Sequence, residues 1–225
     1  MIVKICANTR SEDLIAADNA GADILGVVVE VAVSKRSVDR HLAHDLFEVP
    51  TRADKALLLC DCPLEDAFDI LKLIKPYAVH LTGTEPPETV REIRKRFRVK
   101  VFKSIHLPPV GQDAPRADNL LEKIKSYKES GVHLIVLDTA DPSRKMFGGT
   151  GKCSDWDAAA AIVRESRLPV LFAGGISPEN VCEAIKRVRP YGVDLVSGVE
   201  REVRIKDPAK MRLLVSLVRK CAHEL

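Results

Sequence analysis

A thiol, a carboxyl, a guanidinium and two glycine turns stand at comparable places in this chain, each near the end of a short apolar run. Cys6 closes the run Ile2–Cys6, and Asp138 directly follows Val132–Leu137. Gly174 and Gly175 follow Val170–Ala173, and Ser197-Gly198 end a second such run, Val193–Val196. Arg36 lies in the loop Ser34-Lys35-Arg36 after the apolar run Ile24–Val29. A thiol and a carboxyl on opposite sides of a bound sugar can move protons: one removes a C–H proton, the other protonates a departing oxygen. Glycine pairs leave backbone N–H groups uncovered, and beside a helix start such groups bind an anion, most often phosphate. Ser177 and Pro178 suit the cap and first turn of that helix. Taken singly, each feature also has a plainer reading: a packed cysteine, a turn aspartate, a solvated arginine, a turn that binds nothing.

Whether these groups meet depends on the elements that carry them. Short apolar runs alternate with longer amphipathic segments along the whole chain. The strands read as Ile2–Cys6, Ile24–Val29, Ala56–Cys60, Tyr77–Leu81, Val99–Ser104, Val132–Leu137, Val170–Ala173 and Val193–Val196. Helices read as Glu12–Ala20, Asp39–Phe47, Leu64–Ile74, Pro87–Arg96, Ala117–Glu129, Asp155–Glu165, Glu179–Val188 and Lys210–Ala222, the last capped by Asp207 and opened by Pro208. Strands alternating with helices imply a parallel sheet. Eight such units, with no break in composition, predict one domain over residues 1–225: a closed (β/α)8 TIM barrel. An open doubly wound sheet fits less well, because no GxGxxG follows the first strand. In a barrel the C-terminal strand ends share one rim, and phosphate commonly binds after strands seven and eight. Cys6, Asp138, Arg36, Thr82-Gly83 and the two glycine turns then surround one mouth. The glycine-rich stretch Thr139–Lys152 reads as a lid over it.

Composition excludes several classes. A net charge of +3, with no basic block interleaved with aromatics, argues against nucleic acid. The basic runs Arg94–Arg98 and Arg201–Lys206 read as solvated faces or loops. No apolar run approaches the ~20 residues of a membrane span, and the N-terminus lacks the pattern of a signal peptide. A cytoplasmic protein without membrane partners is expected. The six cysteines show no disulfide framework, and Cys60-x-Cys62 has no second pair or histidine cluster to complete a zinc site. Cys60, Cys182 and Cys221 are expected to act as small hydrophobes.

Several motifs, in order along the chain, resemble those of phosphoribosylanthranilate isomerase, a barrel family of tryptophan biosynthesis. They are Lys4-Ile5-Cys6 with Thr9-Arg10; Val136-Leu137-Asp138-Thr139 with Gly148-Gly149-Thr150-Gly151-Lys152; Ala173-Gly174-Gly175-Ile176 with Pro178-Glu179-Asn180-Val181; and Gly192-Val193-Asp194 with Ser197-Gly198-Val199-Glu200 and Lys206-Asp207. The resemblance implies an aldose–ketose (Amadori) rearrangement of N-(5-phosphoribosyl)anthranilate. It implies Cys6 as general base, Asp138 as general acid and Arg36 as the holder of the anthranilate carboxylate. Gly174, Gly175, Asp194, Ser197 and Gly198 would bind the rest of the substrate. It implies no metal and no organic cofactor, because an iminium formed from the substrate serves as electron sink. The chain departs from the family pattern at Ala7, where glycine is usual. Thr82 replaces the histidine of a QLHG motif, and Val196 the first of two serines. Two other readings fit the same residues: a diverged barrel that isomerises another phosphorylated aminosugar, and a phosphate-binding barrel without catalysis. A monomer and a homodimer are both compatible with the sequence.

Overall fold

The computed structural model describes residues 1–107, 117–141, 146–147 and 155–224. Eight parallel strands form a closed ring: β1 (Ile2–Ile5), β2 (Ile24–Val29), β3 (Asp54–Leu59), β4 (Ala78–Leu81), β5 (Lys100–Leu107), β6 (Leu134–Asp141), β7 (Val170–Phe172) and β8 (Gly192–Leu195). Each pairs with its sequence neighbour, and β1 closes the ring by pairing with both β2 and β8. Around it run α1 (Ser11–Asn19), α2 (Arg40–Glu48), α3 (Leu64–Ile74), α4 (Pro87–Arg96), α5 (Ala117–Ser130), α6 (Trp156–Glu165), α7 (Val181–Val188) and α8 (Pro208–His223). The expected (β/α)8 barrel is the observed fold.

Strand alternation splits the apolar side chains into two cores. Ile24, Ala56, Ala78, Phe102, Leu134, Val136, Leu171 and Ala173 fill the barrel interior. The residues between them in sequence, such as Leu25, Leu57, Val79, Val101, Ile135 and Phe172, face outward and pack under the helices. This parity decides which polar side chains reach the mouth. Lys4, His80, Ser104, Asp138 and Asp194 share the interior face of their strands, and Cys6 continues the β1 alternation beyond Lys4. Helix starts follow local chemistry. Asp39, Asp155 and Asp207 each accept hydrogen bonds from two backbone N–H groups of the first turn, satisfying donors that the helix itself cannot.

Three sequence expectations need correction. Cys182 and Cys221 are not separate small hydrophobes but a disulfide, with Cα atoms 5.6 Å apart, joining α7 to α8. Spacing along the chain cannot show this, because it does not say which faces of these two consecutive helices meet. Ser177 does not cap α7. The chain first makes a turn in which Asn180 Oδ1 accepts from Ser177 N–H and Asn180 Nδ2 donates to the Gly175 carbonyl, so the helix begins at Val181. Lys206 is not solvated. Its ammonium is fully buried and donates to the Val196 carbonyl and the Glu200 carboxylate. The Gly148–Gly151 run and most of the expected lid lie outside the described residues. What is described there is a short antiparallel pairing of Ala140-Asp141 with Met146–Phe147.

Candidate active site

The thiol side of the mouth is built from charges. Cys6 sits just past β1, where its N–H donates to the Leu195 carbonyl at 2.8 Å, and its side chain is almost wholly buried. Gly26 on β2 makes room for it: a Cβ there would lie 2.5 Å from Cys6 Sγ. Below the thiol, Lys4 Nζ donates to Asp194 Oδ2 at 2.6 Å, a buried ion pair across the β1–β8 seam. Burial pushes the Cys6 thiol above its ordinary value, and Asp194 adds to this. The Lys4 and Lys206 ammonium groups pull the other way. Lys4 is held above its ordinary value: burial opposes its charge, but Asp194 and Cys6 outweigh that.

Arg36 belongs to this charged side. Its Nε and Nη2 donate to the two Glu200 carboxylate oxygens at 2.7 and 2.6 Å, a bidentate pair that Lys206 joins at 3.3 Å. Burial disfavours the Glu200 carboxylate, yet Arg36 and Lys206 together hold it below its ordinary value. The loop that carries Arg36 is pinned nearby. Arg204 Nη1 donates to the Lys35 and Ser37 carbonyls, and Ser37 Oγ accepts from Val31 N–H.

The other side of the mouth is built from backbone. Asp138, Gly174, Gly175, Asp194, Ser197 and Gly198 line one small concavity. Gly174 and Gly175 have φ of +84° and +70°, a left-handed path that glycine follows without strain. A Cβ on Gly174 would collide with Thr139 Oγ1, and one on Gly198 with the Ile176 carbonyl, so the two loops and β6 approach closely. Ser197–Val199 form a single 3₁₀ turn over this junction. Asp194 links the two sides, since one carboxylate oxygen binds Lys4 while Oδ1 has no hydrogen-bond partner among the described residues.

Most of the sequence-derived candidates therefore converge. Asp138, both glycine loops and Asp194 share a concavity, and Cys6 faces the same interior beside Lys4 and Asp194. Cys6 and Asp138 stand on strands separated by β8 and β7. Arg36 is at the same rim but faces Glu200. Sequence reasoning missed Lys4, Gly26, Glu200 and Lys206 as parts of the site, although three of them lie inside motifs that it singled out. The signal was available for Lys4. Strand alternation puts it on the face of Cys6, and a lysine on an inward strand face needs a buried anion.

The chain matches the N-(5′-phosphoribosyl)anthranilate isomerase family over residues 3–217. It is 40% identical over 209 residues to the protein of that name from Methanopyrus kandleri, covering 92% of this chain and 93% of the relative. The fold superposes on the crystal structure of phosphoribosyl anthranilate isomerase from Thermotoga maritima with a TM-score of 0.81 and 30% identity, covering 98% of this chain and all of that one. A second crystal structure, of the isomerase in complex with reduced 1-(o-carboxyphenylamino)-1-deoxyribulose 5-phosphate, superposes at a TM-score of 0.78 and 28% identity. It covers 98% and 100% of the two chains.

Proposed function

This chain belongs to the N-(5′-phosphoribosyl)anthranilate isomerase family, and from that premise we propose how its barrel mouth works. The reaction converts N-(5-phosphoribosyl)anthranilate to 1-(2-carboxyphenylamino)-1-deoxyribulose 5-phosphate, an aldose–ketose rearrangement in tryptophan biosynthesis. The observation that carries the residue assignment is the concavity that Asp138 shares with both glycine loops, with Cys6 facing the same interior. Family membership favours neither the other aminosugar nor the non-catalytic reading.

The substrate phosphate binds the backbone N–H groups of Gly174, Gly175, Ser197 and Gly198, where no side chain intervenes. Asp138 enters protonated and gives its proton to the furanose ring oxygen, so the C1–O bond breaks and an iminium forms. Cys6 enters as thiolate and takes the proton from C2, leaving an enolamine. A proton added at C1 and one lost from the C2 hydroxyl complete the ketone, and no atom is gained or lost overall. The thiolate is the reactive form, so the Lys4 and Lys206 ammonium groups assist by lowering its cost against burial. Arg36 uses its Nε–Nη2 edge on Glu200, which leaves its Nη1 side to meet the anthranilate carboxylate. Asp194 fixes Lys4 and presents Oδ1 to the substrate hydroxyls. The enzyme works in the cytoplasm and needs no metal.

The test is the loss of substrate fluorescence with parent, Cys6→Ser and Asp138→Asn side by side. Turnover by the parent is expected, with kcat lower by about 10²–10⁴-fold in each variant. Parental activity in either variant removes that residue from its role.

A further inference from the structure

His106 ends the inward row of β5: Phe102, Ser104 and His106 alternate on the barrel's interior face. On β6 the corresponding row is Leu134, Val136 and Asp138. The two strands are in register, with Phe102 opposite Leu134, Ser104 opposite Val136 and His106 opposite Asp138. Neighbouring strands lie about 4.8 Å apart, so in-register side chains on one face are immediate neighbours. We propose that His106 is a positioning residue for the reaction, its imidazole orienting the Asp138 carboxyl and supporting its protonated form at the substrate's ring oxygen. This rests on the reading of Asp138 as the acid.

The surroundings suit that task. Beneath His106, His80 Nε2 and Ser104 Oγ are hydrogen-bonded at 2.8 Å, and the His80 ring packs edge-on against Phe102. Asp138 lies opposite His106 on β6, and the charges that act on the His106 imidazole come from Lys123 on α5, Asp61 in the loop after β3 and Lys103, while His80 on β4 feels His106 in turn. Lys103 lies on β5 itself. Burial lowers the His106 imidazole to about 4, with Lys103 and Lys123 adding to the effect and Asp61 opposing it. His80 is also held well below its ordinary value, by burial first and then by Lys4, Lys103 and His106. Both rings are therefore uncharged at pH 7. A neutral imidazole accepts one hydrogen bond and donates another. An imidazolium in that position would hold Asp138 ionised and unfit to give a proton. A neutral ring can accept from the protonated carboxyl without that cost.

The experiment compares the pH profiles of kcat and KM for parent, His106→Ala, His106→Gln and Asp138→Asn. His106→Ala is expected to lower kcat about tenfold to a hundredfold, with KM within about twofold. Its alkaline limb should move to lower pH, since Asp138 loses a neighbour that favours its protonated form. His106→Gln, neutral and able to accept a hydrogen bond, should recover most of kcat and return the limb. Parental kcat and limb in His106→Ala, or a rise in KM alone, overturns the proposal while a dead Asp138→Asn leaves the acid in place. Parental activity in Asp138→Asn overturns the acid and this proposal with it. The ring-nitrogen resonances of His106 give a reading that needs no His106 variant: they should shift between parent and Asp138→Asn, and unchanged signals overturn the proposal.

Discussion

The two sides of the barrel mouth are built in opposite ways. On the β1–β2 side, side-chain charges are already paired: Lys4 with Asp194, and Arg36 and Lys206 with Glu200. On the β7–β8 side, Gly174, Gly175 and Gly198 offer backbone at a junction too tight for a Cβ on Gly174 or Gly198. The difference teaches where substitution should be felt. On the proposed roles the charged side sets the proton chemistry, and each charge there is buried against a partner. On the same proposed roles the backbone side sets affinity, because its donors carry no titratable group.

Lys4→Met attacks the charged side and should have the largest effect. It leaves Asp194 buried without its cation, which costs about 3–5 kcal/mol of stability measured by chemical denaturation. It also removes an influence that lowers the Cys6 thiol, so the rise of kcat with pH should move further to alkaline pH. An unchanged base limb would show that Lys4 serves structure alone. Gly174→Ala probes the backbone side. With φ at +84° and Thr139 Oγ1 in the way, the new methyl should raise KM roughly tenfold, or about 1.4 kcal/mol, and spare kcat at saturation. A fall in kcat with unchanged KM would break the contrast. The smallest effect should come from Ala7→Gly. Ala7 has φ of +59° in a buried position, a conformation that costs a non-glycine residue about 1 kcal/mol. Glycine there should raise the thermal midpoint by a few degrees and leave the kinetics alone.

The barrel was legible because its signal is local. Runs such as Ile24–Val29 and Val170–Phe172 are β-branched or apolar throughout, as strands covered on both faces must be. Strand ends then placed Cys6, Asp138 and the glycine loops at one mouth. What stayed hidden was which side chains meet one another. Arg36 was assigned to the substrate, but its bidentate partner Glu200 is 164 residues away. The Cys182–Cys221 bond joins consecutive helices, but spacing does not say that these two side chains face each other. Asn180, not Ser177, orders the turn before α7, because a side chain that bonds both Ser177 N–H and the Gly175 carbonyl outcompetes a simple cap. His106 lies in a stretch that reads as apolar strand followed by loop, and only the register with β6 gives it a neighbour.

The Lys4–Asp194 pair also has a consequence for the order in which the molecule comes into being. It joins the first barrel strand to the last, 190 residues later. At ~5–20 residues per second of synthesis, roughly 10 to 40 seconds separate their emergence from the ribosome. Through that interval Lys4 has no Asp194, and Cys6 has neither Lys206 nor the Leu195 carbonyl that anchors its backbone. The nascent chain carries the proposed base, Cys6, from the start but cannot tune it. On the proposed roles, proton transfer waits until the ring shuts, which makes turnover a direct reporter of the final folding event.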